Sequence, residues 1–231
     1  MAETTSQTIE QTSDSKKELK KFQTSYLLFF LGTIFLAISQ ISLASNINGV
    51  PQILIVLSIF EGISYLFYFL ATFKARKINK SFYYSLLSFS FFLLLKYIAE
   101  VCVNSTMTYD QYMGKALGWS SNFIKCMFYL YFFNGTRLLF DENGYQKHAK
   151  GVKVSLAIFA SIFILTELFE YFSATKMVRN NRFANRFFLY GFWGLQFLLF
   201  ALLIVTDILT VVYVSKQRKI KQKEEGGTNN G

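Results

Sequence analysis

Eight ionisable residues sit in sequence that is otherwise almost wholly apolar: Glu61, Lys96, Glu100, Lys125, Arg137, Glu167, Glu170 and Asp207. At the centre of a membrane helix each such group costs about 2.5–3.5 kcal/mol on insertion scales, so it turns toward a partner, backbone or water rather than toward lipid. Grouped carboxylates with fewer ammoniums are the chemistry of proton relays and cation sites. The same groups also read as ion pairs that set helix register and order a bundle.

Helical rise sorts the eight by depth. Lys96 stands about 22 Å along the third apolar stretch, with Glu100 one turn further on the same face. Glu167 and Glu170, spaced i and i+3, reach a similar level on the fifth. Glu61 and Lys125 come down to it by about 15 Å and 12 Å from the other side. Glu61, Lys96, Glu100, Lys125, Glu167 and Glu170 are therefore expected to form an intramembrane polar pocket in the middle-to-outer half, with two carboxylates in surplus. Arg137 and Asp207 fall near the opposite end, where an inner ion pair is expected. Helical spacing also aligns Glu61, Tyr65 and Tyr68, then Asn122, Lys125 and Tyr129, then Gln196, Leu203 and Asp207. The phenols of such faces can donate to the surplus carboxylates.

Other chemistry is sparse. Cys102, Cys126 and His148 are the only residues of their kinds. Zinc, haem and iron–sulfur sites need several such ligands at fixed spacing, so no metal or other cofactor is expected. The two thiols read as packed apolar side chains, or as a disulfide if both reach the outer half. No G-x-S-x-G, H-E-x-x-H or phosphate-loop motif occurs. Asn104-Ser105-Thr106 is a possible glycosylation sequon in a loop, while Asn134-Gly135-Thr136 lies inside a span. Between the last two apolar stretches, Lys176, Arg179, Arg182 and Arg186 come without an acid, as a possible outer anion contact or a segment lying on headgroups.

The elements that must position these residues are long and apolar. The chain has 231 residues, 52% hydrophobic and 19% aromatic against 16% charged, whereas soluble domains carry about 25% charged residues. Six stretches, 25–44, 51–73, 81–103, 117–140, 153–174 and 187–215, are each near the roughly 20 residues that cross a hydrocarbon layer. Pro51, the one proline, opens the second, so no proline kinks a span. Gly191, Gly194, Ala157 and Ser161 are small enough to admit a neighbouring helix. Met1–Asp14 has too little apolar area to bury and is expected to be disordered; the glycine-rich end is expected to be flexible.

A net charge of +10 raises nucleic acid as a partner, but sixteen of the 24 basic residues flank the spans on one side of a six-span arrangement and five on the other. By the positive-inside rule both termini are cytoplasmic, and the basic flanks meet anionic lipid headgroups. The expected fold is all-α: six transmembrane helices in residues 25–215, a polar N-terminal tail over 1–24 and a basic, flexible C-terminal tail over 216–231. The leading function is moving or sensing a cation, proton or small polar solute through the charged pocket. A scaffold or accessory subunit that meets a membrane-protein partner is the alternative. A membrane-embedded lipid-modifying enzyme ranks last: acid pairs with basic neighbours can do acid–base work, but a reactive headgroup must approach them from the outer side. The chain is expected in the plasma membrane or an endomembrane.

Overall fold

In the computed structural model the described residues are 2–44, 51–105, 107–174 and 180–227, with side chains described except at 2–18, 41–44, 51–54, 111, 173–174 and 221–227. Among them there is no strand. Six long helices carry the fold: α1 (Ala2–Ala44), α2 (Pro51–Ala75), α3 (Lys80–Val103), α4 (Thr108–Glu142), α5 (Gln146–Ala174) and α6 (Arg182–Gly227).

Each helix packs on its neighbours in sequence, and α6 closes on α1, so the six make a ring. Contacts across each seam run antiparallel. Ser39 near the end of α1 donates to Leu57 O near the start of α2; Gln23, midway along α1, donates to Ser215 of α6 at 3.2 Å, and Thr33, further along α1, meets Asp207, earlier in α6. Asn79, Ser81 and Ser85 reach Gly135 O, Tyr131 O and Phe128 O in reverse order along α4. Small hydroxyl and amide side chains of this kind tie membrane helices together where no hydrophobic drive separates helix from lipid. The start of α1, the end of α6 and the α2–α3 and α4–α5 connections therefore share one end of the ring.

Five helices contain segments long and apolar enough to cross a membrane: Leu19–Gln40, Ile55–Ala75, Lys80–Val103, Gln146–Phe172 and Arg182–Ile220. The outward faces match this. Ile55 and Leu66 on α2, Leu94 on α3, Ile164 on α5 and Phe197 and Val212 on α6 are each more than half exposed. Ser25, Thr33, Ser64, Thr72, Ser85, Thr136, Thr166, Asp207 and Thr210 are buried inside. An apolar outside over a hydroxyl-rich inside suits lipid and would be an aggregation surface in water. α4 is the exception. It runs the full length of the ring, but Lys115, Asn122, Lys125, Asn134 and Arg137 dilute its apolar character.

The helices overrun the expected spans at both chain ends. α1 begins at Ala2, where disorder was expected, and α6 continues to Gly227 through residues read as a flexible tail. Composition misleads here because extending an existing helix adds one hydrogen bond per residue without a new nucleation cost. No proline interrupts either stretch. Residues 228–231 lie outside the described set.

A ring of six helices leaves a central gap, and aromatic side chains fill half of it. Phe29 of α1 stacks on Phe132 of α4 across the axis, ring centroids 3.9 Å apart. Phe22, Tyr26, Phe82, Phe128 and Phe140 pack around them, all fully buried. Close approach is set by glycines at two seams. A Cβ on Gly114 would lie 2.7 Å from Val103 N and 2.9 Å from Ala99 O, so α3 and α4 touch backbone to backbone there. Gly191 receives the Phe169 ring edge, whereas Gly194 meets nothing within 4 Å. Ala157 and Ser161 face outward and seat no neighbour.

Candidate functional site

The unfilled half of the ring is a cavity of about 610 Å³, within the size range of small-ligand sites. It runs from Asn104 and Lys115 at the end away from the chain termini down to Tyr129 and Leu203. Every helix contributes: Gln40 from α1, Glu61 and Tyr65 from α2, Lys96 and Glu100 from α3, Lys125 and Asn122 from α4, Glu167 and Glu170 from α5, and Gln196 from α6. Glu61, Lys96, Glu100, Lys125, Glu167 and Glu170 thus line a single space. Lys115 joins them at the rim, so four carboxylates face three ammoniums and the surplus is one acid, not two.

The charges divide into a closed cluster and an open pair. Lys96 Nζ lies 2.6 Å from Glu61 Oε1 and 3.6 Å from Glu100 Oε1. It also donates to Tyr65 Oη at 2.9 Å, and Tyr65 donates to Glu61 Oε1 at 2.5 Å. Helix register makes this possible: Tyr65 is one turn beyond Glu61, and α3 runs antiparallel to α2, so Lys96 meets both. Lys125, by contrast, has no carboxylate oxygen within 4.0 Å among the described residues. Its ammonium lies 5.8 Å above the Phe92 ring, in the opposing fields of the Lys96 ammonium and of Glu61, Glu167 and Glu170. Glu167 accepts a hydrogen bond from Asn122 at 3.4 Å and has no cation within 4.0 Å among the described residues. Lys125 and Glu167, on adjacent helices, are therefore available to a solute.

Beneath the cavity floor four buried hydroxyl and carboxyl groups are joined in series. Tyr129 Oη donates to Tyr68 Oη at 3.1 Å, Tyr68 donates to Thr33 Oγ1 at 3.2 Å, and Thr33 lies 3.1 Å from Asp207 Oδ2. The four come from α4, α2, α1 and α6, and none is more than 2% exposed. Tyr26 of α1, also fully buried, turns its hydroxyl toward the Asp207 carboxyl.

Other sequence expectations fall differently. Arg137 and Asp207 do not pair: Arg137 donates to Asn134 one turn back and sits 3.7 Å from Asp141 one turn on, while Asp207 turns toward α1. Matching depth left the direction around the helix axis open, and Arg137 finds partners on its own helix. Cys102 and Cys126 are both free thiols. Asn104 is exposed as the C-cap of α3, while Asn134, inside α4, donates to Ser81 of α3. Arg182 and Arg186 are exposed at the start of α6 behind the Asn181 cap; Lys176 and Arg179 lie outside the described residues.

Gln40 and Thr33 escaped the sequence reading, and Lys115 was counted only among the five basic residues on the outer side, not with the pocket. Gln40 and Lys115 sit at span ends, where polar residues are ordinary. Thr33 has no distinguishing signal, because a hydroxyl in a helix routinely bonds its own carbonyl four residues back. Thr72, Thr136 and Thr166 all do so here, and Thr33 itself reaches Phe29 O at 3.1 Å. Comparison with protein-family models, with curated proteins and with solved structures finds no match for the chain.

Proposed function

We propose that the protein is an integral membrane protein of six spans, α4 included, which takes a small charged solute or cation into the cavity in order to move or sense it. The carrying observation is the cavity itself: about 610 Å³ inside an apolar-sheathed ring, with ionisable groups from four helices and two of them, Lys125 and Glu167, without a close ionic partner. Such groups cost too much at this depth to be neutral decoration. A solute carrying a positive group would meet Glu167, and one carrying both signs would also engage Lys125. The inclusion of α4 is supported by its antiparallel run against α3 and α5 and by its division into a cavity side, Asn122 and Lys125, and an outward side, Phe123 and Met127.

Both termini are assigned to the cytoplasmic side. Lys74, Lys77, Lys80, Lys147, Lys150, Lys153, Lys216 and Lys219 gather at the terminal end of the ring, each worth about 1 kcal/mol against an anionic leaflet. The cavity then opens to the opposite face, where Arg182 and Arg186 meet headgroup phosphates.

The test is a thermal-shift screen of the purified protein against alkali cations, alkylammonium salts and amino acids, followed by flux of any hit in liposomes. At a hundredfold excess over Kd a true ligand adds about 2.7 kcal/mol of stability. Glu167→Gln abolishes the shift. A panel with no stabilising member, or a hit unaffected by Glu167→Gln and Lys125→Met, overturns the reading.

A further inference from the structure

We infer that Asp207 is a proton-binding site, reached from the cavity through the hydroxyl series Tyr129, Tyr68 and Thr33. Three consecutive hydrogen bonds of 3.1, 3.2 and 3.1 Å connect a cavity-lining phenol to a wholly buried carboxyl, and each crosses from one helix to another. Chance packing of hydroxyls does not require such continuity. The ordinary membrane-helix habit, shown by Thr72, Thr136 and Thr166, is a bond to the helix's own backbone.

The surroundings of Asp207 contain no fixed counter-charge. Tyr26 and Thr33 face it from α1, Tyr68 from α2 and Tyr129 from α4. On its own helix Thr210 is one turn on, and Thr210 meets the sole histidine, His148 of α5, at 3.4 Å. No lysine or arginine lies within 4.0 Å among the described residues. A buried carboxylate faced only by the neutral hydroxyls of Thr33 and Tyr26, with no cation beside it, lacks the pairing that buried charge demands. A mobile proton satisfies that demand without a cation.

The transfer balances as a relay. A hydronium ion in cavity water gives a proton to Tyr129 Oη. The phenol's own proton passes to Tyr68 Oη, that of Tyr68 to Thr33 Oγ1, and that of Thr33 to Asp207 Oδ2. One O–H bond breaks and one forms at each hydroxyl. The net change is water left in the cavity and a neutral acid at Asp207; rotation of the hydroxyls resets the series, and Thr33 has the Phe29 carbonyl as its alternative acceptor.

Infrared spectroscopy of the full chain in lipid vesicles tests this. Wild type minus Asp207→Asn is expected to contain the carbonyl stretch of a protonated carboxylic acid, and Thr33→Val is expected to shift that band by removing its hydroxyl partner. Transfer to heavy water shifts the band as the acid exchanges, and Tyr68→Phe, which keeps the ring, is expected to slow that exchange about tenfold or more. Should Asp207→Asn fold poorly, the Thr33→Val shift still decides. Absence of the acid band, a band indifferent to Thr33→Val, or unaltered exchange in Tyr68→Phe overturns the inference.

Discussion

At the scale of single residues, Lys96 has the most to lose. Its ammonium serves Glu61, Glu100 and the Tyr65 hydroxyl, and the Glu61–Lys96 side chains are only about a quarter exposed, 23% and 26%. Lys96→Met is expected to lower unfolding free energy by about 1.5–3 kcal/mol, the range for hydrogen bonds to charged groups. Adding Glu61→Gln should recover part of the loss, because the worst consequence is a carboxylate left without its counter-ion. Thermal melts of the four members of that cycle check both statements. The same residues mark how far the sequence can be read. Rise per residue puts Lys96, Glu61 and Glu167 at one level, since depth is additive along a helix. How each helix is turned toward its neighbours is not set by its own periodicity, and Arg137 and Asp207 show the consequence: both lie in the half nearer the ends of the chain, yet they face different directions. Thr33 was illegible for a second reason, that its hydroxyl can bond the Phe29 carbonyl of its own helix or Asp207 across the seam.

At the scale of elements, the seam between α3 and α4 rests on Gly114. Gly114→Ala forces a Cβ against the Val103 amide and the Ala99 carbonyl, neither of which can rotate away. It is expected to cost about 1–3 kcal/mol, as overpacking does. Gly118→Ala, one turn on with nothing within 4 Å, is expected to be neutral or to gain up to about 1 kcal/mol from helix propensity. Denaturation midpoints of the two variants should therefore move apart; a common shift would mean that the seam is looser than the backbone contact implies. The apolar runs made five of the elements legible, because exposure to lipid imposes hydrophobicity on length. α4 was placed by its aromatic and aliphatic residues despite its polar ones, and those polar ones are what the cavity uses. The terminal extensions of α1 and α6 were not legible, since composition reports whether a segment can bury surface, not whether a neighbouring helix will carry on through it.

At the scale of the whole molecule, sidedness follows from the antiparallel ring. Lys150, in the terminal-end connection region of α5, and Lys115, at the cavity rim, are expected on opposite faces of the membrane. With Cys102 and Cys126 replaced by alanine, in sealed, right-side-out vesicles Lys115→Cys should react with a membrane-impermeant maleimide, and Lys150→Cys should react only after permeabilisation. The reverse pattern would invert the cytoplasmic assignment while leaving the fold untouched. The ring explains why polar groups from six helices can meet at all: aromatic side chains of α1 and α4 fill one half of the axis and leave the other open as the cavity.

The central claim is that water and solute occupy the interior of an apolar-walled bundle, and neighbouring positions on α4 test it most directly. Asn122 lines the cavity, while Phe123 is 57% exposed on the outer wall. With Cys102 and Cys126 replaced by alanine, Asn122→Cys and Phe123→Cys can each be treated in vesicles with a charged, impermeant thiol reagent, which attacks only a thiolate that water reaches. The account predicts rapid modification of Asn122→Cys from the face opposite the termini and none of Phe123→Cys. Equal reactivity at the two positions, or reaction at Phe123→Cys alone, would contradict it.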